Sequence, residues 1–500
     1  MLTLPPGVDQ PGGSSGQRVT GGLFFRVGTA DEAVPIAGIT HLIEHLAIGQ
    51  VRTGEADENG QTSDRWTLFH ATGTVQEVVA YLNGVCRALH SLPLERLEKE
   101  RQIIHTEASH RDGASPFREE RYGAAGYGMA AIEEFGMFTI SEQTVREWAA
   151  RWFTRGNAVA FLTTDRVPEG LELALPRGER RPDPDPGEWV AETPSYFLGG
   201  GNGIALQGIV VRSWAAKVYV RMMAGRLFRT LREDRGLSYV ADADYATRDG
   251  RTGAVTLFAD ALPDRLVEVS EAFVGLVRDS SSSEVTDDEL AAAIRGVRRE
   301  LAPATPASFL PTQAIAELDG RPVETLVEMM TELDAVSADE VRKVARQVWE
   351  TCLIHCDPVA VQVVEAAEVG PKRNPGPAPQ PLRWTKEFEK KGLSREVMQF
   401  GDQGINYQAG GVVYRVVFDE ACAVFCWPDG ARAVMARDAS MMIIEPGLYK
   451  WLDKTRMIRL IDDKVDPAKL VWLPERDHKD IPRYGAKQAL RLGALILLLS

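Results

Sequence analysis

The stretch Gly38-Ile39-Thr40-His41-Leu42-Ile43-Glu44-His45 decides how this chain is read. On a helix, His41 and His45 stand one turn apart on one face, with Glu44 beside them. Two neutral imidazoles at that spacing can hold one zinc ion, and an unligated carboxylate nearby can take a proton from an activated water. His-x-x-Glu-His is the inverse of the commoner His-Glu-x-x-His arrangement. The plainer reading is a polar face turned to solvent. Against it, Ile39, Leu42, Ile43, Leu46 and Ile48 cover the other sides of the helix, which is therefore expected to be buried. A buried Glu between two His needs a partner.

The next helix offers one. From Leu94 to Glu107 the residues Glu100, Ile103, Ile104 and Glu107 fall at i, i+3, i+4 and i+7, a single stripe mixing isoleucines with carboxylates. A helix that turns Glu107 inward beside Ile103 and Ile104 needs a cation there, and zinc on His41 and His45 would supply it. Glu100, two turns earlier on the stripe, is then placed to orient a ligand from behind. The alternative is an ordinary charged helix, of which Glu95, Glu98 and Lys99 would be typical, and His110 is a rival third ligand.

With these residues in place, the chain resembles the inverted-zincin peptidases, the family of pitrilysin, insulin-degrading enzyme and the mitochondrial processing peptidase. The resemblance rests on His41-x-x-Glu44-His45, then Glu100 and Glu107 seven apart, then an Arg and a Tyr seven apart in Leu231-Arg232-Glu233-Asp234-Arg235-Gly236-Leu237-Ser238-Tyr239. Val27-Gly28-Thr29-Ala30-Asp31-Glu32 before the motif and Gly156-Asn157-Ala158-Val159-Ala160-Phe161 after it agree as well. It extends over about residues 20 to 365. It implies zinc ligation by His41, His45 and Glu107, with Glu100 behind them. In such enzymes zinc polarises the scissile carbonyl, Glu44 would be general base, and Arg232 and Tyr239 would hold the substrate backbone. The family encloses its peptide between two two-domain units, with the Arg/Tyr pair coming from the unit opposite. A chain with one unit is therefore expected to work as a homodimer, with a heterodimer of related chains as the rival.

One departure stands out. The family's Asn-Ala element, on the edge strand that pairs with the peptide, looks deleted, because Glu58-Asn59-Gly60-Gln61 runs almost directly into Thr62-Ser63-Asp64-Arg65-Trp66-Thr67. His45 and Glu107 also lie closer in sequence than the family generally has them. Zinc ligation tolerates a loss in a connection, whereas substrate positioning is put in question.

Composition bounds the remainder. The 500 residues, 44% hydrophobic and 26% charged, suit a soluble chain of three to four domains. A formal charge of -14 supplies no basic stripe for nucleic acid. Five cysteines, Cys86, Cys352, Cys356, Cys422 and Cys426, make a disulfide framework unexpected, and Cys352-Leu353-Ile354-His355-Cys356 reads as a buried strand rather than a second metal site. Residues 1–19 read as a flexible arm without a signal peptide, and the expected compartment is the cytoplasm. The apolar run Leu492 to Leu499 reaches ~12 Å as a helix, too short for a ~30 Å bilayer core. It is expected to pack on its own domain, with a dip into a membrane surface as the other reading.

Proline-rich breaks at Pro176 to Pro186 and Pro371 to Pro381 divide the chain. Thr67-Leu68-Phe69 and Thr256-Leu257-Phe258 each open a similar order of strand, apolar helix and charged helix, a faint internal repeat. The expected fold class is α+β: two related domains, each a sheet covered by helices, plus a small C-terminal β-rich domain. Residues 20–175 would carry zinc, 176–189 link, 190–368 form the non-catalytic repeat, 369–384 a second linker, 385–480 the β-rich domain and 481–500 a tail. The strand rhythm of 385–480 resembles a pleckstrin-homology-like module, with docking as its default role. Two function classes emerge: a zinc metalloendopeptidase acting on peptides or flexible protein segments, and a non-catalytic peptide-binding subunit on the same fold.

Overall fold

The computed structural model describes residues 1–5, 18–51, 56–108, 115–190, 192–364, 366–369, 384–389, 397–401, 403–409, 412–446, 454–479 and 481. The Pro371 to Pro381 break, His110 and the apolar C-terminal run lie outside them.

The first half is built from β1 (Leu2–Thr3), β2 (Val19–Phe25), α1 (Ile39–Ile48), β3 (Asp57–Thr62), β4 (Thr67–Gly73), α2 (Val75–His90), α3 (Leu97–Ala108), α4 (Pro116–Tyr122), α5 (Glu142–Trp152) and β5 (Ala158–Leu162). Its sheet runs β1-β5-β2-β4-β3, so β3 is an edge. Alternate residues of β2 and β4, among them Leu23, Phe25, Phe69 and Ala71, join α1 and α2 in one apolar core. Helix α2 begins on a capping box, with Thr74 accepting from the Glu77 N–H and Glu77 from the Thr74 N–H.

The second half comprises β6 (Ser195–Leu198), β7 (Gly203–Val211), α6 (Trp214–Leu227), β8 (Ala241–Thr247), β9 (Thr252–Asp260), α7 (Leu266–Asp279), α8 (Asp287–Leu301), α9 (Pro306–Leu318), α10 (Leu326–Asp334), α11 (Ala338–Glu350), β10 (Leu353–Cys356) and β11 (Ala367–Glu368). Its sheet runs β11-β6-β10-β7-β9-β8. Apart from β11 this repeats the first order, including the parallel pairs β1/β5 and β6/β10 and the antiparallel hairpin partners β3/β4 and β8/β9. Thr67-Leu68-Phe69 and Thr256-Leu257-Phe258 fall on the corresponding strands β4 and β9. The two halves also interlock. Leu310, Ala314 and Leu318 of α9 pack on Phe24, Val159 and Phe161, covering the other face of the first sheet.

Two segments outside the helices of the first half are held against it. Residues 2–3 pair with Phe161 and Leu162 instead of forming part of a free arm, and Leu4 anchors them in the layer under α9. The 176–189 stretch has no helix or strand, yet it is pinned to the first half rather than loose. Arg181 N–H donates to Oδ1 of Asn157 at 2.9 Å and Tyr127 N–H to the Pro186 carbonyl at 3.1 Å. Buried Arg65 ties Asp183 of this stretch to Asp319 at the end of α9, at 2.9 Å each.

The C-terminal region carries β12 (Trp384–Glu389), β13 (Val397–Gly401), β14 (Gly404–Ala409) and β15 (Val412–Val417) in one sheet. A second holds β16 (Ala423–Cys426), β17 (Arg432–Met435), β18 (Met441–Ile444) and β19 (Leu470–Trp472), with α12 (Lys454–Asp462) preceding β19. The strand-rich reading is met, but the region is not a detached module. Ala423, Phe425, Ala433 and Met435 on one face of the second sheet pack on Val34, Ala37, Ala124 and Met129 of the first half. No helix among the described residues is long and apolar enough to cross a membrane.

Candidate metal centre

Helix α1 starts at Gly38, whose φ of +89° is open to glycine without the usual steric cost. Its first amides are satisfied from a distance: the buried carboxylate of Glu32 accepts from Gly38 N–H at 2.7 Å and Thr40 N–H at 2.9 Å. With Ile39, Leu42, Ile43 and Leu46 fully enclosed, the remaining face of the helix presents His41, Glu44 and His45 to a cavity of about 750 Å³. The rings of His41 and His45 meet edge to face, with centroids 4.6 Å apart.

Helix α3 delivers the third group. One oxygen of Glu107 lies 3.7 Å from Nε2 of His41 and 3.6 Å from Nε2 of His45. Ligand atoms 2.0–2.1 Å from a tetrahedral zinc stand about 3.3 Å apart. Glu107 stands from each His at nearly that separation, and each of the three side chains offers a ligand atom within 4.8 Å of the others. The stripe on α3 is less uniformly inward than expected. Glu100 and Ile104 are buried, whereas the Glu107 side chain is 48% exposed, opening on the cavity.

Both imidazoles are held from behind. Nδ1 of His41 lies 2.9 Å from Oε1 of Glu134, and Nδ1 of His45 lies 3.4 Å from Oε2 of Glu100. A carboxylate accepting from Nδ1–H would set the tautomer in which Nε2 keeps its lone pair toward Glu107. Glu100 is itself held by Arg96, whose Nη2–H donates at 2.6 Å. This arrangement fits a zinc ion in its donor types, spacing and tautomers.

Glu44 is 4% exposed and reaches the same cavity without belonging to the convergent set. Burial pushes its carboxyl above the ordinary value. The His41 and His45 imidazoles pull it back down, as does the Thr62 hydroxyl donating at 3.0 Å. A carboxylate raised by burial and held by a hydroxyl donor beside the His pair is suited to moving a proton.

Thr62 lies on β3, the edge strand whose Asn-Ala element the sequence reading took as deleted. The strand is present from Asp57 to Thr62, and Asn59, Gly60 and Gln61 line the cavity. Its polar sequence disguised it, since strand pairing with β4 uses the backbone and exposed edges commonly carry charge.

Arg232 and Tyr239 are brought to each other and not to His41. The Arg232 guanidinium stacks 4.8 Å from the Tyr239 ring, which is 72% exposed and outside the cavity lining. Asp260 fixes the loop, accepting from the Tyr239 and Val240 amides at 2.8 Å each. Glu134, Thr62, Arg96 and Asp260 were not singled out from the sequence. No spacing relates Glu134 to His41, so only the fold could find it.

Known proteins with a similar sequence or fold are peptidases or parts of them. The family profile described as "Peptidase M16 inactive domain" matches residues 179–297, within the half that lacks His-x-x-Glu-His. An uncharacterised zinc protease of Mycobacterium tuberculosis is 24% identical over 417 residues, covering 72% of this chain and 90% of that protein. Among solved structures, a protease from Helicobacter pylori matches with TM-score 0.57 at 15% identity, over 71% of this chain and 98% of that one. The first half of the periplasmic protease PqqL from Escherichia coli matches with TM-score 0.56 at 14% identity, over 69% and 88% respectively. The chain has the fold of the pitrilysin-like M16 peptidases.

Proposed function

We propose that this chain is an M16-family zinc metalloendopeptidase that hydrolyses peptides or flexible protein segments. One observation carries the proposal: His41, His45 and Glu107 converge within 4.8 Å beside buried Glu44. Zinc on those three residues would polarise the scissile carbonyl and acidify the attacking water. Glu44 takes the proton from that water and returns it to the leaving amine. Glu134 and Glu100 orient His41 and His45. The edge strand β3 borders the cavity, where an extended substrate backbone can be aligned. Arg232 and Tyr239, exposed and outside the lining of this chain's own cavity, are proposed to serve the site of a second copy. The name of the mycobacterial relative supports zinc.

The second reading, a non-catalytic peptide-binding subunit, draws on the inactive-domain match at 179–297. The stretch of chain that would carry catalysis lies outside that match, with every residue of the proposed set present. Glu44→Gln separates the two: on the peptidase reading it keeps zinc and loses peptide turnover by roughly two to four orders of magnitude. A subunit that only binds peptide shows no turnover for the substitution to remove.

A further inference from the structure

The contact between the C-terminal sheet and the first half falls next to the residue that holds His41. Glu134 precedes the short 3-10 turn Phe135–Phe138. This turn lies between the start of α1 and the C-terminal sheet. On the α1 side, Gly136 N–H donates to the Ala37 carbonyl at 3.1 Å. A β-carbon at Gly38 would come within 2.8 Å of the Glu134 Cβ. On the other side, the Phe135 ring packs on Phe425 of β16 with centroids 4.5 Å apart. The Ala124 N–H donates to the Arg437 carbonyl at 2.9 Å, fastening the same loop further upstream. Apolar residues of two chain regions more than 280 positions apart, by the Phe135 and Phe425 numbers, thus close on one turn.

We infer that the β16–β19 sheet is a positioning element of the metal centre: by packing Phe425 on Phe135 it keeps Glu134 seated on Nδ1 of His41. The inference rests on the metal-site reading above. A turn of four residues has little stability of its own. It keeps one geometry only where both of its sides are packed. Glu134 acts through His41 and does not touch substrate, so it is a positioning residue.

The test is zinc affinity of the full chain, measured by competition with a chromophoric chelator, with near-ultraviolet circular dichroism to verify folding. Glu134→Gln and Phe425→Ala should each weaken zinc, by roughly ten- to a hundredfold for the loss of such a partner. Phe425→Leu should weaken it less. Tyr407→Leu, in the other core of the C-terminal region, should leave affinity at the parent level. In the double variant Glu134→Gln/Phe425→Ala the effects should not add, because both act through one contact. Should Phe425→Ala be insoluble, Phe425→Leu with its own Glu134→Gln double variant carries the same comparison. Parent-like affinity in the folded Phe425 variants, or simple additivity with Glu134→Gln, overturns the inference and leaves the metal-site reading standing. A parent protein that takes up no zinc overturns both.

Discussion

Gly60 on the edge strand lies directly against Glu44 on α1: a β-carbon at Gly60 would sit 2.5 Å from Oε1 of Glu44. The absence of a side chain there lets the buried carboxylate stand between the strand and the His pair. Gly60→Ala must therefore displace the Glu44 side chain, while the atoms nearest the added carbon include none of His41, His45 or Glu107. The variant should retain zinc and lose at least tenfold in kcat. Zinc content by atomic absorption alongside peptide turnover checks this, and unchanged kcat would remove the close approach from the account.

Glu32 supplies a pH signature in stability. Burial pushes its carboxyl from 4.5 to about 7, although the Thr40 and Gly38 amides favour the ionised form. With the folded value raised, the folded state holds the proton more tightly than the unfolded chain between those limits. Stability is then fully present below about pH 4.5 and is lost as pH rises through 7, by about 3 kcal/mol at most. Glu32→Gln stays neutral at every pH. Urea unfolding of metal-free parent and variant at pH 5 and pH 8 should show the variant gaining relative to the parent as pH rises. Parallel behaviour would mean that Glu32 is already ionised at low pH.

The fold was legible in the sequence to the extent that apolar periodicity reports it. The apolar helix expected after Thr67-Leu68-Phe69 is found at Val75–His90, and the charged helix of the second copy at Asp287–Leu301. The repeat seen faintly in Thr-Leu-Phe became a repeated strand order. The extent of the edge strand was not legible because its residues, Asp57 to Thr62, alternate between exposed and half-exposed and carry no apolar side chain. The seam with the C-terminal sheet was illegible for another reason. Val34, Ala37 and Met129 are ordinary apolar residues in short turns, and nothing local says that Phe425 covers them. Helical spacing grouped His41, Glu44 and His45 on one face and Glu100 and Glu107 on one stripe, and the family resemblance put Glu107 ahead of His110, whereas Glu134, on a turn far along the chain, carried no such signal.

Two chains are expected to build a working site, because the exposed Arg232/Tyr239 pair is not among the residues lining its own chain's cavity. Mixing Glu44→Gln chains with Tyr239→Phe chains should regenerate one intact site in a fraction of the dimers, so that activity rises clearly above either variant alone. The mixture is assayed after subunit exchange has been verified by size and label transfer. No recovery would mean that the site is completed within one chain or that Tyr239 has no part in it.

The account stands most directly on the metal. Dialysed against a weak chelator and measured by atomic absorption, the parent protein is predicted to retain close to one zinc per chain and Glu107→Gln to retain little. The same stoichiometry in both would contradict the assignment of Glu107, and a parent without zinc would contradict the metal centre as a whole.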